Sequence, residues 1–250
     1  MSFPTTVAGK YGWEKVQTST QKHKLGTEMV FMDGRKFRYV ENGGSGISEG
    51  LLVASPAPAG NHDEDLVITT SPSAGATTIS ITLGATEAAA NLYAEGYLFF
   101  NVPILATSAN PHEMYAIKSH AYIASGGTGV FTIDEEDGFT TAVTAGTETA
   151  GLIVNPYKDV VVAPAAVAGR FVGVTCRSMT ADYFGWVQVA GLATVAVDGT
   201  PAVGTVVGAS SNHAGQFLVV GADTTPAVAR MHGKAGVDNE YHTAFLMNLY

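Results

Sequence analysis

Apolar positions along this chain alternate over short runs and almost never recur at helical spacing. Runs rich in Val, Thr, Phe and Tyr are separated by turn residues at intervals typical of sandwiches and barrels. The pattern predicts an all-β fold: short-stranded antiparallel β-sandwich or barrel units, with an extended N-terminal arm. Only Thr86 to Glu95 has a helix-like composition, and its flanking Gly84 and Gly96 fit a loop or a strand entry equally well. Three Asp-Gly dipeptides stand between apolar runs, at Asp33-Gly34, Asp137-Gly138 and Asp198-Gly199. Because Asp-Gly tolerates the positive φ angles of type I′ turns, each predicts a hairpin. Pro201 and Pro226 read as edge or turn positions, since proline cannot donate to a ladder.

The last segment alternates Tyr241, Thr243, Phe245, Met247 and Leu249 with His242, Ala244, Leu246, Asn248 and Tyr250. Both faces of such a strand are largely apolar, so it should be covered on both sides by core or by a symmetry mate. Residues 1–26 are polar and show no sustained period, which suits an extended arm ordered by its contacts. A first β domain is expected over 27–165, ending near the Pro-bounded run from Pro156 to Pro164, and a C-terminal β domain over 166–250.

Composition places the chain among folded proteins, with 46% apolar residues, but only 14% are charged, against roughly 25% in soluble domains. Its surface must therefore be built largely from small neutral residues or be covered by other subunits. The net charge of −9 is unevenly spread. Residues 1–38 hold seven basic side chains (Lys10, Lys15, Lys22, Lys24, Arg35, Lys36 and Arg38) against three acidic ones, and the remainder holds six basic against nineteen acidic. This asymmetry predicts an arm that meets an acidic neighbour, either another copy or a different protein. Nucleic acid is not an expected partner, because the acidic remainder would repel phosphates. No run approaches the length needed to span a bilayer, and the N-terminus lacks the layout of a secretory signal, so a soluble protein made in a cytoplasm is expected.

Candidate chemistry is sparse. Gly46-Ile47-Ser48-Glu49-Gly50 matches the G-x-S-x-G pattern of serine hydrolases, but that motif needs a helix after the serine, and the two prolines of LLVASPAPAG argue against one. Cys176 is the single cysteine and reads as a small hydrophobe. The clusters His62-Asp63-Glu64-Asp65 and Asp134 to Asp137 carry oxygen ligands without the spacing of a calcium loop. The seven histidines form no close pair and read as scattered surface or interface residues. No catalytic residue, cofactor or metal is therefore expected. Trp186 reads as core, whereas Trp13, an amphipathic anchor in a polar arm, has the character of a docking residue.

The succession YAEGYLFFN, MYAIKSHAYI, GVFTIDEEDGFTTAV, LIVNPYKDVVVAP and FVGVTCRSMTADYFGWVQVAGLATVAVDGTPAVGTVV resembles virion proteins of tailed bacteriophages, especially marine ones. The C-terminal half, with its glycine-tryptophan strand, a following ATVAVDGT hairpin and a closing EYHTAFLMNLY strand, is similar to capsid decoration (cement) proteins. The resemblance implies a non-enzymatic virion protein, a homotrimer, that binds the shell of major capsid protein from outside. It makes the basic arm the shell-contacting element, with Lys10, Trp13, Lys15, Lys22, Lys24, Arg35 and Arg38 as candidate contacts. On that basis, deleting residues 1–26 should weaken attachment and leave the β core folded. The competing expectation is a head fibre or tail adhesin that binds host glycans, with exposed aromatics around Tyr93, Tyr97 and Tyr115.

Overall fold

The computed structural model describes residues 6–101, 113–165, 170–221 and 226–249. The chain forms two compact units, one made of Met1–Ala57 with Pro156–Tyr250, the other of Pro58–Asn155. Among the described residues seventeen strands follow one another: β1 (Thr6–Ala8), β2 (Glu28–Val30), β3 (Lys36–Glu41) and β4 (Leu52–Ala54), then β5 (Leu66–Ile68), β6 (Thr78–Thr82) and β7 (Tyr97–Phe100). After these come β8 (Met114–His120), β9 (Thr128–Ile133), β10 (Thr149–Ile153), β11 (Val161–Val162), β12 (Phe171–Thr175) and β13 (Phe184–Ala196). The last are β14 (Val206–Ala209), β15 (Phe217–Val219), β16 (Ala229–His232) and β17 (Tyr241–Leu246). Among the described residues the only helical element is a 3-10 turn at Trp13–Lys15, so no helix is long and apolar enough to cross a membrane. The segment Thr86–Glu95 folds as turns, with Asn91 and Glu95 at positive φ.

The all-β expectation holds, and the domain boundaries differ. Pro58–Asn155 is an insertion between β4 and β11, so residues on either side of it build one sheet unit. The expected boundary at 165/166 falls inside that unit, because β3 pairs with β13 and β4 with β12 across the insertion. Pairing between strands so distant in sequence leaves no local pattern to read.

The inserted unit is a closed antiparallel barrel, in the order β10-β5-β6-β9-β8-β7. Closure removes free edges, and alternate residues fill the interior with Ile68, Ile79, Ile81, Leu98, Phe131 and Ile133. His62, Tyr93 and His120 are buried there as well. The Tyr93 hydroxyl lies 2.5 Å from His62 Nδ1, and the opposite nitrogen, Nε2, lies 2.9 Å from the Thr86 carbonyl. The Tyr93 amide donates to His120 Nε2 at 3.1 Å, and His120 Nδ1 meets the Ala121 carbonyl at 2.7 Å. Both rings thus have a partner at each nitrogen. This corrects the expectation of surface histidines for these two, and His112 lies outside the described residues.

In the sheet unit, strands run β1-β2-β3-β13-β17-β16-β14-β15, with β12, β4 and β11 branching from β13. The thirteen-residue β13 serves two partners, β3 over Phe184–Ala190 and β17 over Gly191–Ala196. A register shift between Gln188 and Ala190, with Gly191 at φ 87°, turns the strand between them. The buried Gln188 amide closes this bulge by donating to the Ala190 and Leu192 carbonyls at 3.0 and 2.9 Å.

Of the three Asp-Gly turns, only the first joins paired strands. Phe31 to Arg35 link β2 and β3, with the Gly34 amide donating to Phe31 and the Phe31 amide to Arg35, both at 3.0 Å. Gly34 has φ 85° while Asp33 does not reach positive φ. This is a turn with a left-handed glycine in a bulge, not the expected type I′ turn. Asp137-Gly138 is not a hairpin tip, since Phe139 exchanges hydrogen bonds with Gly75 and Ala76. Asp198-Gly199 is not one either: β13 pairs with β17, and β14 with β15 and β16. The Gly199 amide instead donates to the Asp238 carboxylate at 2.7 Å.

Candidate functional site

The arm is extended, and over residues 6–26 its ordering contacts are with its own sheet unit. β1 lies parallel to β2, Thr18 bridges to Phe184 with hydrogen bonds of 2.9 and 2.8 Å, and Val7 and Leu25 pack on the core of Met29, Phe31, Phe37, Tyr39 and Trp186. Alternation along β3 aims Phe37 and Tyr39 at this layer while Val40 joins a different cluster. Deleting residues 1–26 would therefore uncover core, which makes charge reversal the cleaner test of the arm.

Between the arm and this face of the sheet lies a cavity of about 420 Å³. Its walls are mainly rings and aliphatic groups, with Trp13, Val16, His23, Tyr39, Phe184 and Trp186 foremost. The rings brace one another: His23 to Tyr39 at 5.1 Å, His23 to Trp186 at 5.3 Å and Tyr39 to Trp186 at 5.0 Å between centroids. Trp186 and Tyr39 are buried, whereas Trp13 and Val16 are 46% and 53% exposed and stand where the cavity meets solvent. Lys22 completes the lining; its amide donates to the Tyr39 hydroxyl at 3.0 Å. Both tryptophans of the chain thus line one cavity.

The candidate contact residues divide by environment. Lys10, Lys15, Lys22 and Lys24 are exposed on the arm that also carries Trp13. Arg35 and Arg38 are half-buried and engaged within the fold. Arg35 pairs with Asp33 at 2.8 Å and lies over the Phe31 ring at 5.0 Å, with Tyr11 and Phe37 close by. Arg38 pairs with Glu28 at 3.3 Å and donates to the Gly26 carbonyl at 2.9 Å.

A second concavity of about 940 Å³ runs along the outer face of β13 and β17. Leu192 and Phe245 pair across it, and Tyr241 covers Gly50. Tyr241 and Phe245 are each 52% exposed, so the chain's own core covers one face of the final strand and leaves the other bare, where cover by core or by a symmetry mate was expected. Cys176 lines this groove, with its sulfur 3.8 Å from Gln188 Oε1. Burial of the thiol, reinforced by the nearby Glu14 carboxylate, pushes it up to about 12, so at neutral pH it is not a thiolate.

No described residue arrangement matches the Ser48 elbow. Ser48 sits in a turn leading to β4, its carbonyl accepting from the Thr175 hydroxyl at 2.7 Å, and no helix follows. Asp198, Ser210 and His213 are close together, but the Ser210 hydroxyl donates to Asp198 and accepts the amides of Asn212 and His213. His213 meets the carboxylate at 3.4 Å, so the group clamps a turn. Asp63 to Asp65 and Asp134 to Asp137 are exposed, and no group of three or more His, Cys, Asp or Glu among the described residues could hold a metal ion. Tyr93 and Tyr115 are buried in the barrel, which removes the exposed aromatic cluster expected of a glycan-binding tip there.

The cavity and the lysines around it were only partly readable. Trp13 and the arm lysines stood out by composition, whereas Tyr39 and Phe184 come together through the pairing of β3 with β13, and the His23 ring of the arm packs against Tyr39 and Trp186. Comparison with known proteins gives no relative: no family model matches, and no curated protein or solved structure is significantly similar.

Proposed function

We propose that this chain is a non-enzymatic virion structural protein that attaches to the outer surface of a tailed-phage capsid, as a homotrimer seated on the shell of major capsid protein. The observation that carries this reading is the arm: Lys10, Lys15, Lys22 and Lys24 are exposed on the same segment as a half-exposed Trp13, and that segment is already folded against its own sheet. A preordered basic surface with an aromatic anchor loses little conformational entropy on docking. The sequence resemblance and the all-β architecture support the same reading. Repetition over a lattice converts modest individual contacts into firm attachment.

The test is cosedimentation with undecorated capsids of the cognate phage over a range of salt concentrations. Saturable binding that weakens as salt rises is the expected result, because exposed charges are screened within about 10 Å at 0.1 M salt. Absence of binding at every salt concentration would overturn the reading.

A further inference from the structure

We propose that the cavity beneath the arm is a binding site for an amphipathic monoanion, a medium-chain carboxylate whose apolar body lies among the rings with its head at Lys22. The inference stands on the cavity alone and is independent of the capsid reading. At about 420 Å³ the space is of ligand size, within the range of roughly 300–1,000 Å³ usual for small-molecule sites. Its lining selects the ligand class. Two tryptophans, Tyr39, Phe184 and two valines present apolar surface. Its polar side chains are few, Thr18, Lys22, His23 and Tyr39; of these the Tyr39 hydroxyl accepts the Lys22 amide, and the Thr18 hydroxyl donates to the Thr20 carbonyl. A sugar, which needs directional hydrogen bonds around its whole ring, finds few here.

Charge decides the head group. Cages of aromatic rings also take quaternary ammonium ions. Here no lining residue is acidic, and the lining includes Lys22, with Lys24 two residues on and exposed. A cation would be repelled, and an anion at the opening is favoured. An apolar body with a carboxylate head satisfies both the walls and the lysine.

Because Trp13 and Trp186 are the only tryptophans and both line the cavity, intrinsic fluorescence reports occupancy without a label. The experiment is titration of the full chain with decanoate below its micelle concentration, following tryptophan emission and, by calorimetry, stoichiometry. Expected are a saturable emission change at one decanoate per chain, at least tenfold weaker binding in Lys22→Glu, and little preference between the two proteins for neutral decanol. Val16→Glu, a substitution at a half-exposed wall residue, should abolish the decanoate response, with far-UV circular dichroism verifying that each variant is folded. No saturable emission change with decanoate, or equal decanoate affinity in the native protein and folded Lys22→Glu, would overturn the proposal.

Discussion

The barrel and the sheet unit use the same short strands and the same small-residue vocabulary, yet they manage their surfaces in opposite ways. The barrel closes on itself and partners its buried histidines internally. The sheet unit keeps a cavity under its arm, a bare aromatic face on β17, and a strand that serves two partners by bending. Charge divides along the same line. Residues 58–155 contain one basic side chain, Lys118, and eleven acidic ones, whereas the rest of the chain contains twelve basic and eleven acidic. The asymmetry noted between the first 38 residues and the remainder is thus largely a property of the inserted barrel. Both concavities described above lie in the unit that the insertion interrupts.

The contrast can be broken most forcefully in the barrel core. Phe131 is fully buried, with its ring 4.9 Å from His120, and Phe131→Ala should cost the barrel about 3–5 kcal/mol. Trp13→Ala, at a half-exposed wall of the cavity, should cost the sheet unit about 1 kcal/mol. Hydrogen exchange of amides within each unit would measure both; comparable losses would remove the distinction between a saturated core and an adaptable face.

A smaller effect separates two of the Asp-Gly turns. Both glycines have positive φ, but a Cβ at Gly34 would meet nothing within 4 Å, while one at Gly138 would come within 2.4 Å of the Gly75 backbone. Gly34→Ala should therefore cost about 1–2 kcal/mol for backbone conformation, and Gly138→Ala clearly more, as read from denaturation midpoints.

These turns also show how far sequence could reach. The strands, the Asp33-Gly34 hairpin and the core position of Trp186 are local in origin and were legible. Asp-Gly marks a left-handed glycine, but it does not say which strands the turn joins, and Gly138 and Gly199 end in contacts with segments far along the chain. His120 illustrates a second limit. Simple alternation from Tyr115 and Ile117 would put Ser119 inside, yet a register shift between Ile117 and Ser119 turns His120 inward. The candidate site was legible in its charges and in Trp13; its depth depends on β3 meeting β13 across an insertion that composition did not reveal.

The smallest expected effect belongs to the Asp198 clamp. The Ser210 hydroxyl, opposed by some desolvation and aided by Asn212 and His213, holds this carboxyl below the usual carboxylate range. A depressed folded-state value means that the stabilisation is complete above the ordinary Asp value of about 3.9 and is lost as pH falls through the folded one. Asp198→Asn should flatten the stability profile below about pH 4 while leaving the fold intact; an unchanged acid limb would show that the clamp carries no such linkage.

The account rests most heavily on the claim that attachment belongs to the arm face of the sheet unit and not to net charge in general. Lys22→Glu and Lys118→Glu alter total charge equally, one on the arm and one on the barrel. Capsid cosedimentation of the two variants beside the native protein is the most direct measurement. The account predicts that Lys22→Glu loses much of its salt-sensitive binding while Lys118→Glu binds like the native chain; equal loss in both, or loss in Lys118→Glu alone, would contradict it.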